Sequence, residues 1–201
     1  MILAFDTSSA ACTAALFDGD GTCLARKDEI IGRGHAERLV PMLDELLEGR
    51  RADRILVGVG PGSFTGIRVA IAAAQGLAIG WGAELAGMSS MALIAAGSYS
   101  AEDVAVAVSG GHGELFVQEF TNTGKPLSEL RNVTPAEAAT LIERPAVHGS
   151  GAFELVKARD WGIASDWSPA AAYALRLDES QRTLPPRPIY AREPDAKALV
   201  A

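Results

Sequence analysis

The chain has 201 residues, of which 48% are hydrophobic, so it can bury one large core or two lobes of about 100 residues each. Acidic side chains outnumber basic ones by 25 to 18, and the net charge of −7 disfavours independent nucleic-acid binding, which needs a basic surface. The only cysteines, Cys12 and Cys23, are too few for a secreted disulfide framework and lack the CxxC spacing of a redox pair or zinc site. The N-terminal stretch lacks the basic region of a signal peptide and is too polar to span a membrane. We therefore expect a cytoplasmic protein that does not enter a membrane.

The first half of the sequence predicts a strand hairpin followed by alternating helices and strands. Residues 2–17 read as two apolar strands around a small polar turn, and residues 35–48 read as a helix. A further strand runs into a glycine-rich turn at 60–66, which opens a second helix at 64–81. This order of elements predicts a mixed sheet covered by helices.

The second half repeats this order. Residues 105–120 match residues 2–17 with a constant offset of 103, so that both stretches end in Phe. A helix at 135–143 and a glycine turn at 148–153 follow, and the turn comes about 14 residues earlier in the repeat than its counterpart, since Gly151 pairs with Gly62 at an offset of 89. We interpret this recurrence as a duplication; the alternative is a chance match of two hairpin patterns. The duplication predicts two lobes, 1–101 and a shortened 102–201, which face each other across a cleft.

The glycine turn GPGSFTG at 60–66 fits none of three nucleotide or nucleophile motifs. Gly66 is followed by Ile67 and Arg68 where a P-loop has its lysine, and Ser63 lacks the flanking glycines of a nucleophile elbow. No window matches the dinucleotide fingerprint GxGxxG. We interpret the turn as a device for close helix-to-strand packing, with Ser63 or Thr65 as N-cap; direct anion binding by its amides is the alternative.

Both long helices of the first half are more apolar than a sheet-covering helix requires. Between residues 67 and 81, Arg68 and Gln75 are the only strongly polar side chains, whereas a full polar stripe is expected on the outer face. The small residues of this helix would let another helix come close: Ala70, Ala73, Ala74, Gly76, Ala78 and Gly80. We predict a partner surface whose contact residues are Val40, Met42, Leu47, Ala70, Ala73, Ala74 and Leu77. The alternative is that the two helices only cover each other.

Four segments resemble the TsaB (YeaZ) family: ILAFDTS, HAERLVPMLDELL, GVGPGSFTGIRVAIAAAQGLAIG and the terminal PRPIYAREPDAK. They spread over almost the whole chain in the family's order. The resemblance implies an α/β fold of the actin-like, Hsp70-like ATPase (ASKHA) type. It also implies a non-catalytic subunit in bacterial threonylcarbamoyladenosine synthesis on tRNA, which binds and activates the paralogue TsaD, with TsaE as a third member. The partner surface, helices 35–48 and 64–81, would then meet TsaD, or a second copy of this chain when TsaD is absent.

The resemblance also implies what a catalytic member would need. TsaD holds its metal through two histidines at i, i+4 spacing, but the matching stretch here, 87–95, has no histidine. His35, His112 and His148 do not share helical spacing, so we expect neither a metal nor catalysis. Asp166 aligns with a late metal-binding carboxylate of TsaD and is interpreted as an N-cap of the last helix. An enzyme of the same fold, a small-molecule kinase or a peptidase, remains the alternative.

The second hairpin departs from the family pattern and suggests a residual nucleotide site. Ser109, Gly110 and Gly111 resemble the phosphate-side loop of TsaD, and successive glycine amides can form an anion-binding nest. Asp6, Thr7 and Ser8 would face this loop across the cleft, and Asp6 could hold a magnesium-bound water. Weak ATP or ADP binding with magnesium is therefore a hypothesis, although no cofactor is expected to be required. The alternative is that the glycines merely close a tight hairpin.

The C-terminal segment 185–197 is predicted to be extended at first because it is rich in proline. Arg182, Arg187 and Arg192 give it local positive charge, which could meet TsaE, tRNA phosphate or only solvent.

Overall fold

The computed structural model describes residues 1–98 and 101–190 and contains two five-stranded sheets. The elements of the first lobe are β1 (Ile2–Asp6), β2 (Ala11–Phe17), β3 (Cys23–Ile30), α1 (His35–Leu47), β4 (Arg54–Gly58), α2 (Phe64–Trp81), β5 (Glu84–Met88) and α3 (Ser90–Gly97). The strand order is β3-β2-β1-β4-β5, in which β1, β4 and β5 are parallel and β2 and β3 are antiparallel to their neighbours.

The second lobe has the same topology. Its elements are β6 (Val104–Gly111), β7 (Glu114–Phe120), β8 (Arg131–Val133), α4 (Pro135–Leu141), β9 (Ala146–His148), α5 (Ala152–Arg159) and β10 (Ile163–Ser165). Read from β8 to β10, the order β8-β7-β6-β9-β10 reproduces that of the first sheet. The β6–β7 hairpin corresponds to the β1–β2 hairpin in residue number, with the offset of 103 seen in the sequence. The predicted duplication is confirmed, and α4 and α5 are shorter than α1 and α2.

Strand burial follows from position in the sheet. β2 is buried along its whole length and β1 nearly so, which explains why ILAFD and ACTAALF lack the alternation of a half-exposed strand. The outer strand β3 alternates between exposed and half-buried residues, as one covered face requires. Its charged side chains bind α1, since Arg38 donates to Glu29 and Glu45 and Lys27 pairs with Glu45.

Three hydrophobic clusters form the core. One lies between the first sheet and helices α1 and α2, and another lies in the second lobe under α4 and α5. The third joins both lobes, because α3 and a 3₁₀ helix, Ala171–Arg176, pack between the two sheets. Residues from both halves of the duplication are therefore buried together.

The second lobe is tied together by Arg159, which is 8% exposed at the end of α5. Its guanidinium donates to the carbonyls of Ile142, Arg144, Pro145 and Trp161. At the start of α4, Thr134 and Glu137 form a capping box that satisfies the first amides of that short helix.

After residue 170 the chain returns to the first lobe. Leu184 exchanges two backbone hydrogen bonds with Gly87 of β5, and Ile189 donates to the carbonyl of Val59. The division into 1–101 and 102–201 remains a prediction, but this returning segment, 171–190, does not pack within the second sheet. The boundary residues 99 and 100, and the end of the chain including Arg192, lie outside the described residues.

Candidate partner interface and interlobe cleft

The glycine turn holds the start of α2 against the β1–β2 turn. A Cβ built at Gly62 or Gly66 would overlap the carbonyl oxygens of Ser8 and Thr7 respectively, so only glycine allows this approach. The amide of Ser63 donates to the Ser8 carbonyl at 2.6 Å, and the Ser63 hydroxyl caps the helix by accepting from the Gly66 amide. The packing interpretation and the Ser63 N-cap are confirmed.

Helix α2 is buried along a narrow stripe only. Of its 18 residues, the buried ones are Gly66, Ile67, Ala70, Ile71 and Ala74. Its opposite face, which we call the α2 outer face, is exposed and consists of Thr65, Arg68, Ala72, Gln75, Gly76, Ile79 and Gly80. Ile79 is 84% exposed near the C-terminal end of this face, where its neighbours are Gly76 and Gly80. By length and composition α2 would also pass as a membrane span, but its buried stripe packs on the first sheet.

Two glycines of the α2 outer face are not required by packing within residues 1–98 and 101–190. A Cβ built at Gly76 or Gly80 would meet nothing within 4 Å. A glycine inside a helix costs about 1 kcal/mol relative to alanine, and no internal packing offsets that cost here.

The structure corrects four of the seven predicted contact residues. Met42, Leu47, Ala70 and Ala74 are at most 6% exposed, because they point into the core beneath α1 and α2. Helical spacing separates the faces of a helix, but it does not say which apolar face turns inward. A substitution such as Ala74→Glu would therefore test folding and not binding.

Three predicted contact residues do reach the surface. Val40 is 62% exposed, and Ala73 and Leu77 are partly buried along the edge of α2. The sequence prediction missed Ile79 and Phe64, which are 84% and 47% exposed. Ile79 could have been found, because it lies three residues after Gly76 and shares the face of that small residue.

An ordered cluster lies at the N-terminal end of the α2 outer face. The Arg68 guanidinium carbon lies 3.6 Å from the centroid of the Phe64 ring and 5.8 Å from that of Tyr190. The Arg68 Nε donates to the Tyr190 hydroxyl at 3.0 Å, and the two rings are 5.5 Å apart. The last described residue of the returning segment is thus fixed to the start of α2.

The predicted nucleotide cleft exists as a space of about 520 Å³ between the lobes. Residues of both halves line it, among them Ser8, Ser63, Ser109, Asp166 and Trp167. Of the six predicted nucleotide-site residues, the structure brings Ser8 and Ser109 to this cleft; Asp6, Thr7, Gly110 and Gly111 are not part of its lining.

Asp6 is fully buried, which corrects its proposed role in holding a magnesium-bound water. One carboxylate oxygen accepts from the amide and hydroxyl of Ser8, and the other accepts from the hydroxyl of Ser90. Burial raises the pKa of Asp6, although the hydrogen bonds from Ser90 and Ser8 oppose this shift. Thr7 is also buried, and its hydroxyl donates to the Gly66 carbonyl. Both residues stabilise the fold beneath the cleft.

The second hairpin uses its glycines to turn. His112 and Gly113 have φ angles of 54° and 78°, the left-handed conformation of a tight two-residue hairpin, and Gly111 has a φ of 81°. The amide of Ser109 donates to the Ser150 hydroxyl, so it already has a partner. These contacts favour the interpretation that the glycines close a tight hairpin. They do not favour the alternative, in which the glycine amides form an anion-binding nest.

The histidines lie apart from one another. His35 begins α1 and is buried, with Nε2 3.3 Å from the Ala11 carbonyl oxygen. His148 ends β9 and stacks on Trp167 at 4.4 Å between centroids, and burial lowers its pKa. Within residues 1–98 and 101–190, no three His, Cys, Asp or Glu side chains lie close enough to hold a metal. The N-cap prediction for Asp166 is wrong, because the following 3₁₀ helix begins after Ala170 without a side-chain cap.

Two lobes of one topology, joined by a shared core and facing across a cleft, define the actin-like ATPase fold. The model of the family "TsaD: tRNA N6-adenosine threonylcarbamoyltransferase" matches residues 28–165, more than half of the chain. A YeaZ structure from Pseudomonas aeruginosa superposes with a TM-score of 0.76 at 28% identity, covering 94% of this chain and 98% of that one. A second structure from that organism, described as similar to peptidase YEAZ, gives a TM-score of 0.78 at 29% identity over 95% and 99% of the two chains.

Curated relatives agree with this assignment. The tRNA threonylcarbamoyladenosine biosynthesis protein TsaB of Escherichia coli is 36% identical over 59% of this chain and 54% of its own length. The match to this relative thus spans about half of its length. An uncharacterized protein of Mycobacterium bovis is 31% identical over 98% of this chain and 94% of its own. The chain therefore belongs to the TsaD family and, within it, to the TsaB (YeaZ) group.

Proposed function

We propose that this protein is an accessory, non-catalytic subunit in the synthesis of threonylcarbamoyladenosine on tRNA, acting in the cytoplasm. The names of the TsaB relatives support a role in this modification. In this proposal the α2 outer face, flanked by Val40 of α1, binds the catalytic paralogue TsaD and stabilises its active conformation. TsaE joins the pair as a third member, and a second copy of this chain occupies the surface when TsaD is absent.

The exposed apolar surface of α2 is the observation that carries this proposal. Only five of its 18 residues are buried, and Ile79 and Phe64 are 84% and 47% exposed, which is unfavourable unless a partner covers them. The open glycines Gly76 and Gly80 add a position where a partner helix can approach closely. The carboxylate of Asp6, which was predicted to face the nucleotide, is enclosed by Ser8 and Ser90, and this supports a non-catalytic role.

The test is binding of an Ile79→Glu variant to TsaD from the same organism, followed by isothermal calorimetry and by chain counting with light scattering. A glutamate at this position is tolerated by the fold because Ile79 is 84% exposed, but it would place a charge inside the complex. We expect loss of the one-to-one complex. Ile163→Glu is the matched control, since Ile163 is 68% exposed on β10 of the other lobe and should not affect binding. Normal affinity of Ile79→Glu would show that the α2 outer face is not the interface.

Nucleotide binding in the cleft is a separate proposal with weaker support. The cleft could hold a ligand of nucleotide size, and Ser8 and Ser109 line it from opposite lobes. Calorimetry of the isolated protein with ATP and magnesium tests it, and the absence of heat at high protein concentration would end it.

A further inference from the structure

Arg68 is held by two aromatic side chains, whereas several other arginines are held by carboxylates or backbone carbonyls. Arg38, Arg131 and Arg144 each pair with carboxylates, and Arg159 is saturated by backbone carbonyls. Arg68 is exposed, and within residues 1–98 and 101–190 no carboxylate pairs with it.

The guanidinium is nevertheless held in one orientation. Its face lies on the Phe64 ring at 3.6 Å, and its Nε is bound to the hydroxyl of Tyr190. This arrangement leaves the two terminal nitrogens, Nη1 and Nη2, available to a ligand. Together they form the fork that binds a carboxylate through two parallel hydrogen bonds. An arginine ordered before binding loses less side-chain entropy when it forms such a pair.

The surroundings of Arg68 add to its attraction for an anion. The first turn of α2 carries no acidic residue, so the positive end of the helix dipole is not neutralised there. The neighbouring helix α1 has the opposite character, because its exposed positions include Glu37, Asp44 and Glu48. The surface is therefore cationic at the start of α2, apolar and small along its middle, and acidic along α1.

We propose that Arg68 is the specificity contact of this surface and receives an aspartate or glutamate side chain from the partner's helix. This inference rests on the proposed function, since the partner is taken to be the TsaD protein that covers the α2 outer face. The partner's helix would present its carboxylate to Arg68, small or apolar residues to Gly76 and basic residues to α1. A second copy of this chain would also bring acidic residues of its own α1 to Arg68 across a two-fold axis, so chain counting by light scattering separates self-association from TsaD binding.

The experiment measures binding of Arg68 variants to purified TsaD by calorimetry at two salt concentrations. We expect Arg68→Gln to weaken binding about tenfold or more and to reduce its salt dependence, because an ion pair is lost. Arg68→Lys keeps the charge but not the planar fork, and should also weaken binding. Tyr190→Phe keeps the ring and removes the hydroxyl that orients Nε, so we expect a smaller loss. Arg26→Gln is the matched control, since Arg26 is exposed on β3 at the opposite edge of the lobe.

A double-mutant cycle identifies the partner residue. Substitution of the receiving carboxylate by its amide should cause the same loss as Arg68→Gln, and the two losses should not add. If they add for every acidic residue on the contacting helices of TsaD, the pairing is wrong. If Arg68→Gln binds normally while Ile79→Glu does not, this inference fails and the proposed function stands. If both variants bind normally, the proposed function fails as well.

Discussion

Replacing Gly76 by alanine should stabilise this protein and weaken its complex. Gly76 lies inside α2, where a Cβ would meet nothing within 4 Å, so the added methyl group causes no strain in the isolated chain. Alanine is favoured over glycine in a helix interior by about 0.8–1 kcal/mol. For a chain of this size, a gain of 1 kcal/mol corresponds to a rise of about 2–4 °C in Tm. Gly80→Ala should give a smaller gain, because Gly80 lies in the last turn of the helix.

The same methyl group should have the opposite effect on binding. If the partner's helix approaches Gly76 closely, an extra methyl overpacks the interface at a cost of about 1–3 kcal/mol, a loss of affinity of roughly 5- to 150-fold. Urea unfolding of the isolated variant measures the first effect, and calorimetry with TsaD measures the second. Gly97→Ala is the control for stability, because its Cβ would lie 2.8 Å from the Tyr173 ring and should destabilise the protein. A Gly76→Ala protein that is less stable, or more stable but equally tight in binding, would refute this explanation of the glycine.

Three further substitutions test the fold beneath these sites. Gly66→Ala should destabilise the protein by more than about 3 kcal/mol in urea unfolding, since its Cβ overlaps the Thr7 carbonyl. Because burial raises the pKa of Asp6, the native state binds its proton more tightly than the unfolded state. The contribution of this group to the unfolding free energy is therefore lost as the pH rises through its folded pKa. Asp6→Asn should remove that part of the pH dependence of the unfolding free energy; an unchanged profile would contradict the assignment. Arg159→Ala leaves four carbonyls without their donor and should cost on the order of 4 kcal/mol, measured as a fall in the urea midpoint.

The parts of the fold that the sequence predicted depend on local pattern. The hairpin repeat, the helix over 64–81 and the Ser63 cap follow from spacing and turn chemistry, which act within a few residues. The environment of Asp6 could not be predicted in this way, because Ser90 reaches it from 84 positions away. The Tyr190 contact to Arg68 spans 122 positions and depends on the return of the chain to the first lobe.

Of the seven predicted contact residues, three reach the surface and four are buried, for a reason that lies in helix geometry. The composition of α2 indicated correctly that two of its faces are apolar. It did not indicate which face lies on the sheet, because Ala74 and Ala73 differ only by a rotation of 100° about the helix axis. The structure distinguishes the two faces by their glycines. Gly66 is required by the close approach of the Thr7 carbonyl, whereas a Cβ at Gly76 would meet nothing within 4 Å on the exposed side.

The groups that lack partners support binding at the α2 outer face over nucleotide binding in the interlobe cleft. Asp6 lies beneath the cleft and accepts from Ser8 and Ser90, and the amide of the cleft residue Ser109 donates to Ser150. On the α2 outer face the situation is reversed: Ile79 lacks apolar contacts and Gly76 lacks neighbours. Binding free energy comes from groups that gain partners when the ligand arrives, and Ile79 and Gly76 place such groups on the α2 outer face.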